Sequence, residues 1–179
     1  MHLLLSRTVD HMGRISNVKL FTKYIDLYQT ISFPITLHKD AHHDFSKQNK
    51  SIKPELLEAY VTPHIGTNDD EYTEYIPCFQ LKAEKNFIAI VLWRAALLEY
   101  EYYVMTYNNA GDLIHQQVIA GMKSDGEHII TRIAIIDDDT NIHMVEGAMN
   151  DKNETDYDPE NTREYTFEIT PDGFISLEH

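Results

Sequence analysis

Apolar and polar positions alternate differently in the two parts of the chain. Over 17–30, apolar residues fall at Val18, Leu20, Phe21, Tyr24, Ile25, Leu27 and Tyr28. Spacings of three and four put most of them on one helical face, with Ser16 or Asn17 as the N-cap. Pro34 ends that helix, and 33–37 reads as a short extended segment. Residues 38–50 are polar without a period, which predicts a loop. A second short helix is expected from Pro54, a residue suited to a first helical turn, through Glu55, Leu56, Leu57 and Tyr60. Residues 62–73 form another polar connection.

From Glu74 the period becomes that of strands. Segments 75–81 and 87–93 flank the polar stretch 82–86, and in the second both faces are apolar: Phe87, Ala89, Val91 and Trp93 on one, Ile88, Ile90 and Leu92 on the other. That pattern suits a central strand covered on both sides. Segment 100–107 follows, and Asn108-Asn109-Ala110-Gly111-Asp112 supplies turn chemistry into 113–119. Ser124-Asp125-Gly126 turns into 129–136, Asp137 to Asn141 leads into 142–148, and Thr170-Pro171-Asp172-Gly173 joins 165–169 to Phe174-Ile175. The run 93–105 contains good helix formers at Ala95, Ala96, Leu97 and Leu98. Tyr100, Tyr102, Tyr103 and Val104 suit a pleated surface better, so two strands joined at 95–99 are preferred to a helix.

The expected fold is α+β: an antiparallel meander of about eight strands, as a curved sheet or partial barrel, with N-terminal helices packed on it. One domain is expected over 1–176, helical and irregular over 1–73 and β-meander over 74–176. The strings YVMTYNNAGDLI and YTFEITPDGFI share a strand, glycine turn, strand pattern. That is reused hairpin chemistry, since blade repeats run about 40–50 residues. Leu177 to His179 read as the start of an expression tag and are set aside.

The chain has 179 residues, 42% of them hydrophobic, enough for a core. Fifteen Lys and Arg against 29 Asp and Glu give a formal charge of −14, which disfavours nucleic acid and anionic membranes as partners. The sole cysteine, Cys78, precludes an internal disulfide and multi-cysteine zinc sites. The apolar run 3–5 is too short for a signal peptide, and 87–93 is far short of the ~20 residues of a membrane helix. The chain is therefore expected to be soluble; its compartment stays open, because an export signal could have been removed. Phosphate-loop, dinucleotide, nucleophile-elbow and H-E-x-x-H motifs do not occur, which argues against nucleotide hydrolysis and the common hydrolase classes.

Three groups remain as candidate chemistry. His38, His42 and His43, with Asp40 and Asp44, carry ligand types suited to zinc, nickel or copper, and the alternative is a solvated, histidine-rich loop. The acidic stretch 151–160 begins like a calcium loop, but Asp156 stands where that loop needs glycine and Thr162 where it needs glutamate. Asp137-Asp138-Asp139 is a second acidic cluster, and a solvated turn is the default for both. Trp93, Tyr100, Tyr102, Tyr103 and Tyr107 could line a groove for a flat or sugar-like ligand on one sheet face, or serve as core. Arg94 lies beside them; if buried it needs a carboxylate, and Glu99 or Glu101 is near in sequence.

Segments 21–24 through 33–37, 75–77 to 87–90, and 103–107 to 111–114 together resemble a family of small, uncharacterised, β-rich bacterial proteins, often exported or lipid-anchored. The resemblance extends from residue 17 onward, implies the hairpin form of 93–107 and carries no activity or site residue. The function expected is that of a non-catalytic binding or interaction module for a protein or small molecule, with no cofactor. Two alternatives stand beside it: a metal- or cation-dependent protein, and a carrier with an aromatic-lined cavity.

Overall fold

A computed structural model describes residues 18–150 and 162–178 of the chain. Helix α1 covers 18–25 and ends earlier than the apolar spacing suggests. Leu27 and Tyr28 donate backbone hydrogen bonds to Tyr24 and Ile25, three residues back, which tightens the last turn and releases the chain. Strand β1 (Gln29–Thr30) follows, then β2 (Ile35–Leu37), α2 (His42–Gln48), α3 (Pro54–Tyr60) and α4 (Thr62–Ile65). The meander comprises β3 (Glu74–Ala83), β4 (Phe87–Ala96), β5 (Glu99–Asn108), β6 (Leu113–Ser124), β7 (His128–Ile136), β8 (Ile142–Asn150), β9 (Thr162–Ile169) and β10 (Ile175–Leu177). Leu177, set aside on sequence grounds, pairs with Phe167 in the β10–β9 ladder.

The fold is β-rich, and its open sheet is mostly antiparallel. Ten strands lie among the described residues, in the order β1-β3-β4-β5-β6-β7-β8-β9-β10 with β2 added against β7. The eight strands legible in the sequence are β3 to β10. The other two come from the part expected to be helical and irregular, and both exist because a neighbour leaves an edge open. β1 runs parallel to β3 at Phe79 and Gln80. β7 pairs with β6 only through Ile129 to Arg132, so its far half accepts Ile35, Thr36 and Leu37 of β2.

Residues 38–50, expected as a loop, contain α2. A seven-residue helix is marginal alone, and Ala41 gives it no side-chain cap. Tertiary contacts hold it. Phe45 is buried with its ring 5.4 Å from that of Phe79, and the Asn49 amide donates to the carbonyls of Pro77 and Cys78, each at 2.6 Å. One apolar anchor in a polar segment leaves no period to read.

The stretch 93–105 forms the expected hairpin, turning at Leu97 and Leu98, with Leu98 at a φ of 62°. Strand β4 is covered on both sides, as its two apolar faces require. Its inner face (Phe87, Ala89, Val91, Trp93) shares a core with β7, β8 and β9 through Ala134, Ile136, Ile142, Met144 and Phe167. Ile90 and Leu92 on its outer face pack with Tyr103, Met105 and Tyr107 under α1, α3 and α4. There Phe21, Tyr24, Tyr60 and Tyr107 form an aromatic cluster, with Tyr107 Oη donating to the Tyr60 carbonyl at 2.7 Å. Among the described residues no helix is long and apolar enough to cross a membrane.

Candidate functional site

The rings singled out from sequence do not share a face. Trp93 and Tyr102 are cross-strand partners on the inner side, whereas Tyr103 and Tyr107 belong to the outer core. Strand alternation requires this division, because 102 and 103 must point opposite ways. Most of these rings therefore fill the two cores. Tyr100, at 42% exposure, is open to solvent, with its ring 6.4 Å from that of Trp93.

His42 covers Trp93. The two rings stack at 4.2 Å and 5°, and His42 Nδ1 lies 2.8 Å from the Lys39 carbonyl, so that nitrogen carries the proton. Burial is the largest effect on His42 and lowers its pKa. Beneath it, Trp93 Nε1 and Tyr102 Oη are buried without a hydrogen-bond partner among the described residues. His43 packs on His42 at 4.0 Å, His38 Nδ1 accepts the Asp40 backbone N–H at 3.3 Å, and Asp44 lies 4.0 Å from Lys47. Among the described residues no group of three or more His, Cys, Asp or Glu side chains could hold a metal ion. Asp137 turns inward on its own loop, accepting from the backbones of Asp139 and Asn141 and lying 3.2 Å from His143 Nε2. The acidic stretch 151–160 lies outside the described residues.

Arg94 organises a different region, on the outer face beside α4. Its side chain is 3% exposed and satisfied from two sides. Nε and Nη2 donate to Asp69 Oδ1 at 3.1 and 2.8 Å, and Nη1 donates to Glu99 Oε2 at 2.9 Å. Burial opposes the guanidinium charge, but the hydrogen bonds to Asp69, Tyr75 and Glu99 outweigh it and raise its pKa. Glu99 also meets Lys123 Nζ at 2.6 Å; that hydrogen bond is the largest effect on Glu99 and holds its carboxyl below the ordinary value. Glu101 stands directly opposite Arg94 in the β4–β5 register, yet it turns to Arg132 Nη1 (2.9 Å) and the Tyr103 hydroxyl (2.9 Å). Arg132 continues to Glu146 at 2.8 Å. Of the two partners expected for Arg94, Glu99 is realised and Glu101 serves another arginine.

Above these ion pairs lies a cleft of about 230 Å³. Arg94, Glu99, Glu101, Tyr103, Gln116 and Lys123 line it from the sheet, and His64, Ile65, Thr67 and Asn68 from α4 and the turn after it. The Gln116 Nε2 donates to the His64 carbonyl at 3.2 Å, which sets the amide's orientation. Its Oε1 is buried and accepts nothing from the described residues. Most buried acceptors find a donor, so this oxygen is the least expected feature of the cleft.

Sequence reasoning reached Arg94, Glu99, Glu101 and Tyr103 but missed Asp69, Gln116 and Lys123. Asp69 sits in a polar connection and Gln116 in a strand, with no local pattern to mark either. Lys123 was hidden by register. An uninterrupted hairpin continued from the Tyr107–Leu113 pair would set Gly121 opposite Glu99. Irregularities at Tyr102/Tyr103 and Thr106/Tyr107 shift the β5–β6 pairing by two residues and bring Lys123 there.

No family model, curated protein or solved structure matches the chain.

Proposed function

We propose that the protein is a non-catalytic binding module whose site is the outer cleft over Arg94. The observation that carries this reading is an open cleft lined by Arg94, Glu99, Glu101, Gln116 and Lys123, whose ionised groups are already paired. Ion pairs beneath an open cleft fix the positions of their oxygens and nitrogens before a ligand arrives, which lowers the ordering cost of binding. The same pairing speaks against acid–base work. Glu99 is held ionised between Arg94 and Lys123, so it is a poor proton donor near neutrality. The Cys78 thiol is buried in the inner core and raised in pKa by that burial, far from a thiolate nucleophile.

Ligand-observed NMR with a library of small polar fragments tests the reading. Hits are expected to perturb the amides of 64–68, 99–103 and 116, and to lose affinity in Gln116→Leu. A library that yields no hit, or hits confined to other surfaces, would overturn it.

A further inference from the structure

Strand β3 has an edge that its neighbours leave half covered. β1 pairs with it only at Phe79 and Gln80, so among the described residues no strand lies beside 74–77 on that side. Pro77 shows which backbone groups face the open part. Its carbonyl accepts from the Asn49 amide at 2.6 Å, so Pro77 points away from β4, the orientation proline takes at a sheet edge. Hydrogen-bonding direction alternates along an antiparallel strand. Tyr75, two residues earlier in unbroken register with β4, therefore turns its own N–H and C=O to the same open side. An edge residue with both groups free is a template for a further strand.

That edge is the floor of a cleft of about 420 Å³. Ser46 and Asn49 line it from α2 and the residues just after, which Phe45 anchors to the inner core. Ile52 and Leu57 line it from α3 and the residues just before, and both pack with the outer core. The floor thus lies between the two faces of the sheet. Set between two helices, it is closed to a second sheet and open to a single extended segment. The open stretch 74–77 spans about 13 Å, and the volume lies within the ~300–1,000 Å³ of sites that enclose a ligand.

The walls select the side chains of that segment. Residues opposite one another in a sheet share a face. The residue opposite Tyr75 shares its outer face and meets Ile52 and Leu57, whereas its two neighbours turn toward Ser46 and Asn49. The complement is a polar, apolar, polar triplet. In an antiparallel approach the central residue exchanges both of its backbone hydrogen bonds with Tyr75. The fold itself uses this edge in a similar way, since β1 adds to it as a separate two-residue strand at Phe79 and Gln80. Beyond the cleft, a formal charge of −14 favours basic flanks on the partner.

We propose that this cleft docks an extended peptide segment of a partner protein, which adds antiparallel to β3 at Tyr75 through a polar, apolar, polar triplet with basic flanks. Main-chain bonds supply the attachment and the apolar wall supplies the selectivity. The slot is distinct from the cleft over Arg94, so either assignment can fail without the other.

The test is a ¹H–¹⁵N correlation titration of the full chain with the peptides Ac-Lys-Thr-X-Thr-Lys-NH2, where X is Val, Leu, Phe or Asp, up to about 5 mM. Two backbone hydrogen bonds and one apolar side chain support millimolar affinity or better. At least one apolar X should saturate the amides of 49–52, 57 and 74–76, and X as Asp should not. Methylating the backbone nitrogen of X removes the donor to the Tyr75 carbonyl and should weaken binding at least about fivefold. Leu57→Ala should weaken it about fivefold by thinning the apolar wall. If Leu57→Ala does not fold, the methylated peptide decides on the unaltered chain. Binding that methylation leaves unchanged overturns strand addition, and saturation confined to 99–103 and 123 overturns the site. Equal binding of the Asp peptide overturns the selectivity. No saturation by any peptide overturns the proposal, and if sedimentation then shows a dimer, a second copy is the occupant instead.

Discussion

Gly121 is the point where β5, β6 and β7 depend most narrowly on one residue. It pairs with Glu101 on one side and Arg132 on the other, and those two side chains meet across it at 2.9 Å. Its φ is +121°, a conformation side chains rarely adopt, and a Cβ placed there would meet the Tyr100 carbonyl oxygen and, at 2.7 Å, Glu101 Cα. In Gly121→Ala the backbone conformation costs about 1–3 kcal/mol. Moving β5 away costs about 1–3 kcal/mol more, because the obstacle is backbone and cannot rotate aside. The expected loss is therefore about 4 kcal/mol. Gly126 separates the two effects: its φ is +93°, but a Cβ there meets nothing within 4 Å. Gly126→Ala should cost only the conformational part, about 1–2 kcal/mol. Urea unfolding followed by Trp93 fluorescence measures both, since Trp93 is the only tryptophan and lies in the inner core. In thermal unfolding, 4 kcal/mol corresponds to a fall of about 8–16 °C for a chain of this length. Equal losses in the two variants would refute the close-approach argument.

Three further outcomes are expected. Burial lowers the His42 pKa, so below about 6.5 the unfolded chain binds more protons than the folded one. Stability is then complete above about pH 6.5 and falls as pH drops from there toward the folded value; His42→Gln should reduce that dependence in urea midpoints measured from pH 5 to 7.5, and an unchanged dependence would count against it. Arg94→Met strands Asp69 and removes one of Glu99's two cations, for an expected loss of about 2–4 kcal/mol. Lys123→Met, at a lysine half exposed, should cost under about 1 kcal/mol, and equal losses would show that the Arg94 network is not the buried one. Phe45→Ala should cost about 3 kcal/mol and raise amide hydrogen exchange across His42–Gln48, because that ring anchors α2; exchange unchanged there would show that Asn49 alone holds the helix.

Strands β3 to β10, the two-faced β4, the helical form of 18–25 and the start of α3 were legible in the sequence because each depends on residues a few positions apart. Alternation selects the faces, while Asn108 to Asp112 and Thr170 to Gly173 close their own turns through local hydrogen bonds. Helix α2 and strand β1 were not legible, and of β2 only the extended form of 33–37 was. They are too short to carry a period, and they form only where Phe79, the β3 edge and the unpaired half of β7 receive them. The cleft needed tertiary structure most of all. Arg94 finds Asp69 across 25 residues and Gln116 finds His64 across 52, while the shifts in the β5–β6 register choose Lys123 for Glu99. Local pattern tells a residue which way to face; which charge it faces is set by register and chain crossing, and those are settled only when the whole sheet closes on its two cores.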